Sequence, residues 1–158
     1  MTNEPADRRW ADLEAIRVLK HQYLRFLDCK RFEELGGLLT DDVRSSYDSG
    51  AMSHEGRDAV VAFLSKALGD PGVVTMHTGH HPEIAFTSDS AASGTWYLED
   101  RVIVTGQDFE LHGTAIYHDE YRKDDGHWLI SATGYVRIFE EARRRSTGEV
   151  LTWRTMFE

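Results

Sequence analysis

The stretch Gly94-Thr-Trp-Tyr-Leu-Glu-Asp-Arg-Val-Ile-Val104 alternates between two sets of positions in the way that a β-strand does. Neighbouring side chains of a strand point to opposite faces, so one face of this strand carries Trp96, Leu98, Asp100, Val102 and Val104. Asp100 is the only charged residue in that apolar row. Because a buried carboxylate without a partner is costly, we predict that Asp100 pairs with another polar group inside the fold.

The segment before this strand offers a partner for Asp100. It is rich in β-branched residues and ends in three histidines, His77, His80 and His81, which are followed by Pro82. A carboxylate that faces an imidazole fixes the tautomer of the histidine and raises its basicity. We therefore predict a hydrogen bond or a near contact between Asp100 and His77. The alternative for His77 is a structural role as a hydrogen-bonded core residue.

The spacing of the three histidines is not typical of a metal site. On a strand, His77 and His81 would share a face and His80 would not, and the motif differs from a pair of histidines on one helix face. We therefore predict that the protein has no metal ligands, and we expect surface or supporting roles for His80 and His81.

The composition limits the class of protein. A chain of 158 residues with 41% hydrophobic residues suits a single domain, 1–158. Its net charge of -9 argues against nucleic acid as a partner, because phosphate binding depends on clustered Lys and Arg. The chain has no apolar run of about 18 residues, and its polar start lacks the apolar region of a signal peptide. We expect no membrane partner and a cytoplasmic location.

The periodicity of the apolar residues changes along the chain. Helical spacing predicts helices over residues 10–28, 32–39 and 56–68, with a first short strand over 43–47 between them. From Val73 the period becomes two, which predicts a strand that ends at the histidines and further strands over 83–87, 92–105, 110–122 and 127–139. We therefore predict an α+β fold in which three helices cover the concave face of a curved antiparallel sheet, a cone with one open mouth. Residues 142–158 receive no assignment.

Other proton-handling and charged residues occupy the predicted helix and the last long strand. Tyr23 lies in the buried stripe of the first helix, whereas Asp28 lies roughly 140° further round it, so the two share a pocket only if the helix ends there. On the last strand, Tyr135, Arg137 and Phe139 alternate onto one face. The alternation leaves open whether Arg137 enters the cavity or is an ordinary solvated arginine.

Four segments together resemble the SnoaL-like branch of the nuclear transport factor 2-like superfamily. They are YLRFLD at 23–28, MHTGH at 76–80, GTWYLEDR at 94–101 and GYVRIFEE at 134–141. The resemblance covers about residues 10–141, the core of the predicted domain. It does not include the tail, residues 142–158. Within the branch the chain is most similar to bile acid 7α-dehydratase and more distantly similar to scytalone dehydratase.

The resemblance implies a small hydrophobic cyclic ligand, no metal, no organic cofactor, and a homodimer formed through the outer face of the sheet. By position it also implies a catalytic set made of Tyr23, Asp28, His77, Asp100 and Arg137. In such a set, His77 oriented by Asp100 takes a proton from a carbon next to a carbonyl. Tyr23 then hydrogen bonds to the developing oxyanion or the leaving hydroxyl, and Asp28 relays the proton.

The activity implied by the resemblance is that of a cofactor-independent lyase, a dehydratase. Two alternatives stay open: a ketone isomerase or polyketide-type cyclase that uses the same residues, and a non-catalytic small-molecule-binding domain. Residues 106–109 and those after Glu141 differ from the dehydratase, so a bile acid substrate is not implied. If the Asp100 face is the inner one, the outer face carries Tyr97, Ile103 and Ile116, which supports the expected homodimer.

Overall fold

The computed structural model describes residues 4–157, and its helices lie in the first half of the chain. They are α1, Glu4–Asp28, α2, Phe32–Gly36, and α3, Arg57–Leu68. Helix α1 begins earlier than the sequence predicted but ends at Asp28, as expected. Helix α2 is shorter than predicted because Leu39 already belongs to the first strand. None of the described helices combines the length and the apolar character needed to cross a membrane.

Seven strands follow the helices or lie between them. They are β1, Leu39–Tyr47, β2, Met52–Glu55, β3, Val73–Phe86, β4, Ala91–Val104, β5, Phe109–Asp124, β6, His127–Arg144, and β7, Val150–Thr155. The sequence analysis did not predict β2 or β7, and β7 occupies the tail that had no assignment. The central strands β4 and β5 lie where the period of two placed them, with bounds that differ by one or two residues.

The seven strands form one curved, open sheet. Its order is β2-β1-β6-β5-β4-β3, and β7 pairs with β6 outside this path. All neighbouring pairs are antiparallel except β1 and β6, which are parallel. Strand β1 lies along the first part of β6, where Ser45 is opposite Thr133, and β7 lies along the last part, where Glu140 is opposite Arg154.

Bulges in β3 and β6 change which side chains face inward. In β3 the register shifts between His80 and Glu83, and His81 has a φ of +49°. The bulge accommodates Pro82, which has no N–H for the ladder, so the predicted break is a bulge within one continuous strand. In β6 the register shifts so that Ala115 is opposite Arg137 while Thr114 is opposite Phe139. Arg137 and Phe139 therefore lie on opposite faces, and the prediction that they share a face is wrong.

The core lies between the helices and one face of the sheet. Helix α1 contributes Ile16, Leu19, Tyr23 and Leu27, and the sheet contributes Val43, Trp96, Leu98, Ala115 and Tyr117, all of which are buried. Helix α3 adds Val60 and Leu64 to the same cluster. The predicted α+β class, with three helices on the concave face of a curved sheet, is confirmed, and the core defines the inner end of the cone.

Candidate functional site

A cavity of about 230 Å³ lies between the ends of α1 and α3 and the concave face of the sheet. Most of its wall is apolar, with Leu27, Phe63, Leu64, Val102 and Leu111 among the lining residues. The polar residues that line it are Tyr23, Tyr47, His77, Asp100, Tyr117, Tyr135 and Arg137. Four of the five predicted site residues thus line one cavity. The fifth, Asp28, does not line it but contacts His77, which does.

The imidazole of His77 is hydrogen bonded to Asp28 rather than to Asp100. His77 Nδ1 lies 2.6 Å from Asp28 Oδ1, and the backbone N–H of His77 donates to Asp28 Oδ2 at 2.9 Å. The hydroxyl of Thr75 donates to Asp28 Oδ1 at 2.8 Å. Since an ionised carboxylate only accepts, Nδ1 carries a proton, so the neutral form of this imidazole has its lone pair at Nε2.

Asp28 is held in its ionised form by these contacts. Burial acts to raise the pKa of Asp28, but the hydrogen bonds and charge of His77, helped by the hydroxyl of Thr75, outweigh burial and lower it. The carboxylate can take this position because α1 ends at Asp28, so its side chain escapes the helical wheel that would have directed it away from Tyr23. The side chain of His77 is only 9% exposed, which limits the access of water to the pair.

The hydrogen-bonding partner of Asp100 is Arg137, so the predicted hydrogen bond between Asp100 and His77 is wrong, and of that prediction only the proximity of the two residues remains. Asp100 and His77 are directly opposite each other on β4 and β3, as their shared cavity requires. However, Arg137 donates to both carboxylate oxygens of Asp100, with Nη1 2.5 Å from Oδ1 and Nη2 2.8 Å from Oδ2. A bidentate guanidinium satisfies a buried carboxylate better than one imidazole nitrogen, and a bulge at Ser131 of β6 places Arg137 on the inner face together with Tyr135.

Gly113 leaves the space that this ion pair occupies. A Cβ atom at Gly113 would lie 2.8 Å from the carbonyl oxygen of Phe139 and 2.9 Å from Arg137 Nη1. Both distances are shorter than van der Waals contact. A side chain at this position therefore pushes on the backbone of β6 and on the guanidinium together.

We expect Gly113→Ala to destabilise the protein by about 1–3 kcal/mol, the usual cost of forcing extra atoms into a packed core. Gly106→Ala is the matched control, because a Cβ atom at Gly106 meets nothing within 4 Å. Urea unfolding of the two variants and the wild type measures the difference. Equal free energies of unfolding for both variants would contradict this description of the packing around Arg137.

A pair of tyrosines forms the opposite polar contact of the cavity. The hydroxyl oxygens of Tyr23 and Tyr47 are 2.8 Å apart, and both side chains are buried. Burial raises the pKa of Tyr23 well above its usual value, and the neighbouring Tyr47 and Tyr117 add to the effect. Both phenols thus stay protonated at neutral pH. One hydroxyl must accept from the other, so the pair keeps one hydroxyl proton that it can donate to a bound molecule.

Sequence reasoning missed a buried ion pair next to the cavity. Lys20 Nζ lies 2.8 Å from Asp119 Oδ2, and neither side chain is exposed. Asp119 also accepts hydrogen bonds from the hydroxyls of Tyr121 and Thr133, each at 2.8 Å. The ammonium lies 3.4 Å from the ring centre of Tyr117, which lines the cavity. Burial lowers the pKa of Lys20, and the charge of Asp119 opposes this effect.

The signal for this pair was present in the sequence. Lys20 follows Ile16 by four residues and precedes Tyr23 by three, which places it on the buried stripe of α1. Asp119 alternates with Tyr117 and Tyr121 on the inner face of β5, as Asp100 does among the apolar residues of β4. A buried positive charge on α1 and a buried negative charge on β5 together predict an ion pair. Neither charge predicts it alone.

His80 and His81 lie at the β3 bulge and take no part in the cavity. Their rings are 5.9 Å apart and both side chains are partly exposed. Within residues 4–157, no group of three or more His, Cys, Asp or Glu side chains is placed to hold a metal ion. The absence of a metal from the protein stays a prediction.

The outer face of the sheet is partly apolar. Tyr97 is 40% exposed there and Met76 and Val136 are also exposed, while Ile103 and Ile116 are half-buried. An exposed apolar face of this kind often forms an interface between subunits. The homodimer stays a prediction.

The family to which this chain is assigned by sequence is consistent with its fold. The family model of the SnoaL-like domain matches residues 8–134, which is most of the chain. The protein therefore belongs to the SnoaL-like family, and the resemblance predicted from the four sequence segments is confirmed. The finer likeness to bile acid 7α-dehydratase stays a prediction.

Several solved structures are similar to this chain. A candidate scytalone dehydratase from Novosphingobium aromaticivorans has a TM-score of 0.79 at 24% identity, over 85% of this chain and 89% of that one. The hexachlorocyclohexane dehydrochlorinase LinA-type3 from Novosphingobium barchaimii has a TM-score of 0.72 at 18% identity, over 94% and 92%. ActVI-ORFA from Streptomyces coelicolor has a TM-score of 0.69 at 15% identity, over 80% and 97%. Identities this low show a shared fold, which is of the nuclear transport factor 2-like type.

Proposed function

We propose that this protein is a cofactor-independent lyase, a dehydratase that removes water from a small hydrophobic ring compound with His77 as the base. The observation that carries the proposal is the His77–Asp28 pair at the wall of a mostly apolar cavity. An imidazole whose Nδ1–H is held by a carboxylate presents Nε2 as a proton acceptor. The names of two structural neighbours, a dehydratase and a dehydrochlorinase, support an elimination.

The dimensions of the cavity limit the substrate. A volume of about 230 Å³ is below the range of roughly 300–1,000 Å³ that is common for ligand pockets. A compound of one or two rings suits this volume better than a four-ring steroid. The apolar wall favours a neutral ring, and the paired charges of Arg137 and Asp100 leave no net charge for a strongly ionic ligand.

In the proposed mechanism, His77 Nε2 removes a proton from a carbon next to a carbonyl group. The electrons of the C–H bond move toward the carbonyl oxygen, and the hydroxyl proton of the Tyr23–Tyr47 pair stabilises the negative charge that develops there. The electrons then return, and the C–O bond of the β-hydroxyl group breaks. The proton on His77 leaves with the hydroxyl as water, so the imidazole is restored.

Asp28 and Arg137 have different tasks in this mechanism. Asp28 keeps the Nδ1–H tautomer of His77 and stabilises the imidazolium that forms, which replaces its predicted role as a proton relay. The Arg137 guanidinium uses two N–H groups on Asp100 and borders the cavity with others, so it can donate to the departing oxygen. Asp100 orients Arg137, instead of orienting His77 as predicted.

The test is a search for product with a panel of one- and two-ring β-hydroxy ketones. Wild-type protein is incubated with each compound, and loss of water is followed by mass spectrometry and by the ultraviolet absorbance of the conjugated product. We expect at least one compound to lose water. An isomeric product of unchanged mass would favour the isomerase alternative, and binding without turnover across the panel would favour a binding domain.

A further inference from the structure

The guanidinium of Arg137 is held on two sides by acidic groups. Asp100 binds Nη1 and Nη2, and Glu140 Oε2 lies 3.2 Å from Nε. The side chains are nearly buried, with exposures of 4% for Asp100, 15% for Arg137 and 10% for Glu140. The β6 bulge at Ile138 places Glu140 on the same inner face as Arg137, opposite Gly113. Two of the five N–H groups of the guanidinium are therefore hydrogen bonded to Asp100, and Glu140 forms an ion pair with the guanidinium at Nε.

These three side chains alone would carry one net negative charge in a nearly buried place. A buried charge without compensation is strongly unfavourable. The missing positive charge comes from β7, where Arg154 lies opposite Glu140 in the ladder and binds its other oxygen, Oε1. The charges then alternate along the chain Asp100, Arg137, Glu140 and Arg154, and they sum to zero.

The free space around Arg137 shows why its guanidinium needs a second contact besides Asp100. A second cavity of about 230 Å³ lies under β7, and its wall includes Arg137, Glu140, Arg154 and Met156. Arg137 thus borders a cavity on each side. Free space on the β7 side gives a long side chain room to turn away from Asp100, unless Nε is also bound.

We propose that Glu140 and Arg154 are positioning residues that hold Arg137 in the catalytic cavity, and that β7 is therefore part of the active site. Arg137, Glu140 and Arg154 all lie beyond residues 8–134, the part of the chain that the family model matches. Glu140 fixes Nε, and Arg154 balances Glu140 so that it does not draw the guanidinium away from Asp100. The inference rests on the proposed function only in assigning a catalytic task to Arg137.

The experiment observes Arg137 directly by ¹⁵N-edited NMR of arginine Nε–Hε groups. The cross-peak of Arg137 is assigned as the one that Arg137→Lys removes. In the wild type we expect this Hε to exchange slowly with water, because it lies against Glu140 in a nearly buried ion pair. Since either replacement removes a charge that holds this pair together, we expect the exchange to become about tenfold faster, or the cross-peak to be lost, in Glu140→Gln and Arg154→Gln.

Matched variants separate positioning from general damage. Arg144→Gln removes an arginine of β6 that pairs with exposed Glu149, and it should leave the Arg137 cross-peak unchanged. Arg154→Lys keeps the charge and should restore slow exchange at least in part, whereas loss of the fold would perturb the cross-peaks of all arginines. An unchanged Arg137 cross-peak in both Glu140→Gln and Arg154→Gln would overturn the proposal.

The readout needs no substrate, so it is independent of the proposed lyase activity. If the panel of β-hydroxy ketones gives no product but the Arg137 exchange responds as expected, the positioning holds and the function fails. If product forms, Arg154→Gln should lower kcat more than it raises KM, because Arg137 acts on the departing oxygen in the transition state. Turnover that is unaffected by Arg154→Gln, together with an unchanged cross-peak, would remove β7 from the site.

Discussion

Replacing His77 with alanine is expected to lower turnover of a dehydrated substrate by roughly 10²- to 10⁴-fold, the usual contribution of a positioned general base. The reason is that, in the proposed mechanism, Nε2 of His77 is the proton acceptor, and Asp28 orients the imidazole at the wall of the cavity. The effect should fall on kcat and on kcat/KM together, because the base acts in the transition state and contributes little to ground-state binding. Steady-state kinetics with the compound found in the panel measures it.

His127→Ala is the control for this variant. His127 is exposed at the start of β6, where its side chain does not line the cavity. Its replacement should leave turnover within a factor of about two of the wild type, since exposed substitutions away from special features have small effects. If His77→Ala and Tyr23→Phe both turn over substrate at the wild-type rate, the catalytic assignment is wrong although the fold is right.

The second large effect is expected on stability, at the buried pair of Lys20 and Asp119. Lys20→Met should destabilise the protein by about 3–5 kcal/mol, because it leaves the carboxylate of Asp119 buried without its cation. The hydroxyls of Tyr121 and Thr133 still donate to Asp119 but carry no charge to balance it. The free energy of unfolding in urea at neutral pH gives the value.

Two further variants make this test specific. Arg44→Met breaks an exposed pair with Glu120, whose atoms are 3.0 Å apart, and should cost less than about 1 kcal/mol. Adding Asp119→Asn to Lys20→Met removes the uncompensated charge and keeps an acceptor for one of the two hydroxyls, so the double variant should regain part of the lost stability. A cost for Lys20→Met as small as that for Arg44→Met would contradict the assignment of a buried ion pair.

The elements of the fold could largely be predicted because they depend on local periodicity. The apolar spacing of α1 and the alternation of β4 are set by which side chains must be buried, and both are visible without the structure. Strands β2 and β7 were missed for a physical reason. Both are short edge strands whose side chains are mostly exposed, so burial leaves little pattern in their sequence.

The contacts within the candidate site could be predicted only in part from local sequence patterns. Asp100 was correctly expected to need a partner, but the identity of that partner depends on a bulge. The extra residue Ser131 shifts the alternation of β6, so that Arg137 faces inward although buried Ile130 lies an odd number of residues before it, and local patterns do not predict such a shift. His77 had two candidate acidic partners, Asp28 and Asp100. Only the end of α1 at Asp28 decides between them. Contacts of exposed residues between distant segments, such as that of Arg154 with Glu140, need the tertiary structure.

The central claim is that His77 removes a proton from a carbon next to a carbonyl group, and hydrogen exchange at that carbon measures this step alone. Wild-type protein and His77→Ala are incubated in deuterium oxide with a panel of one- and two-ring ketones, with and without a β-hydroxyl group, and deuterium uptake is followed by mass spectrometry. We predict uptake into at least one ketone that is roughly 10²-fold or more faster with the wild type than with His77→Ala, after subtraction of the rate in buffer. Uptake at the same rate with both proteins across the whole panel would contradict the claim.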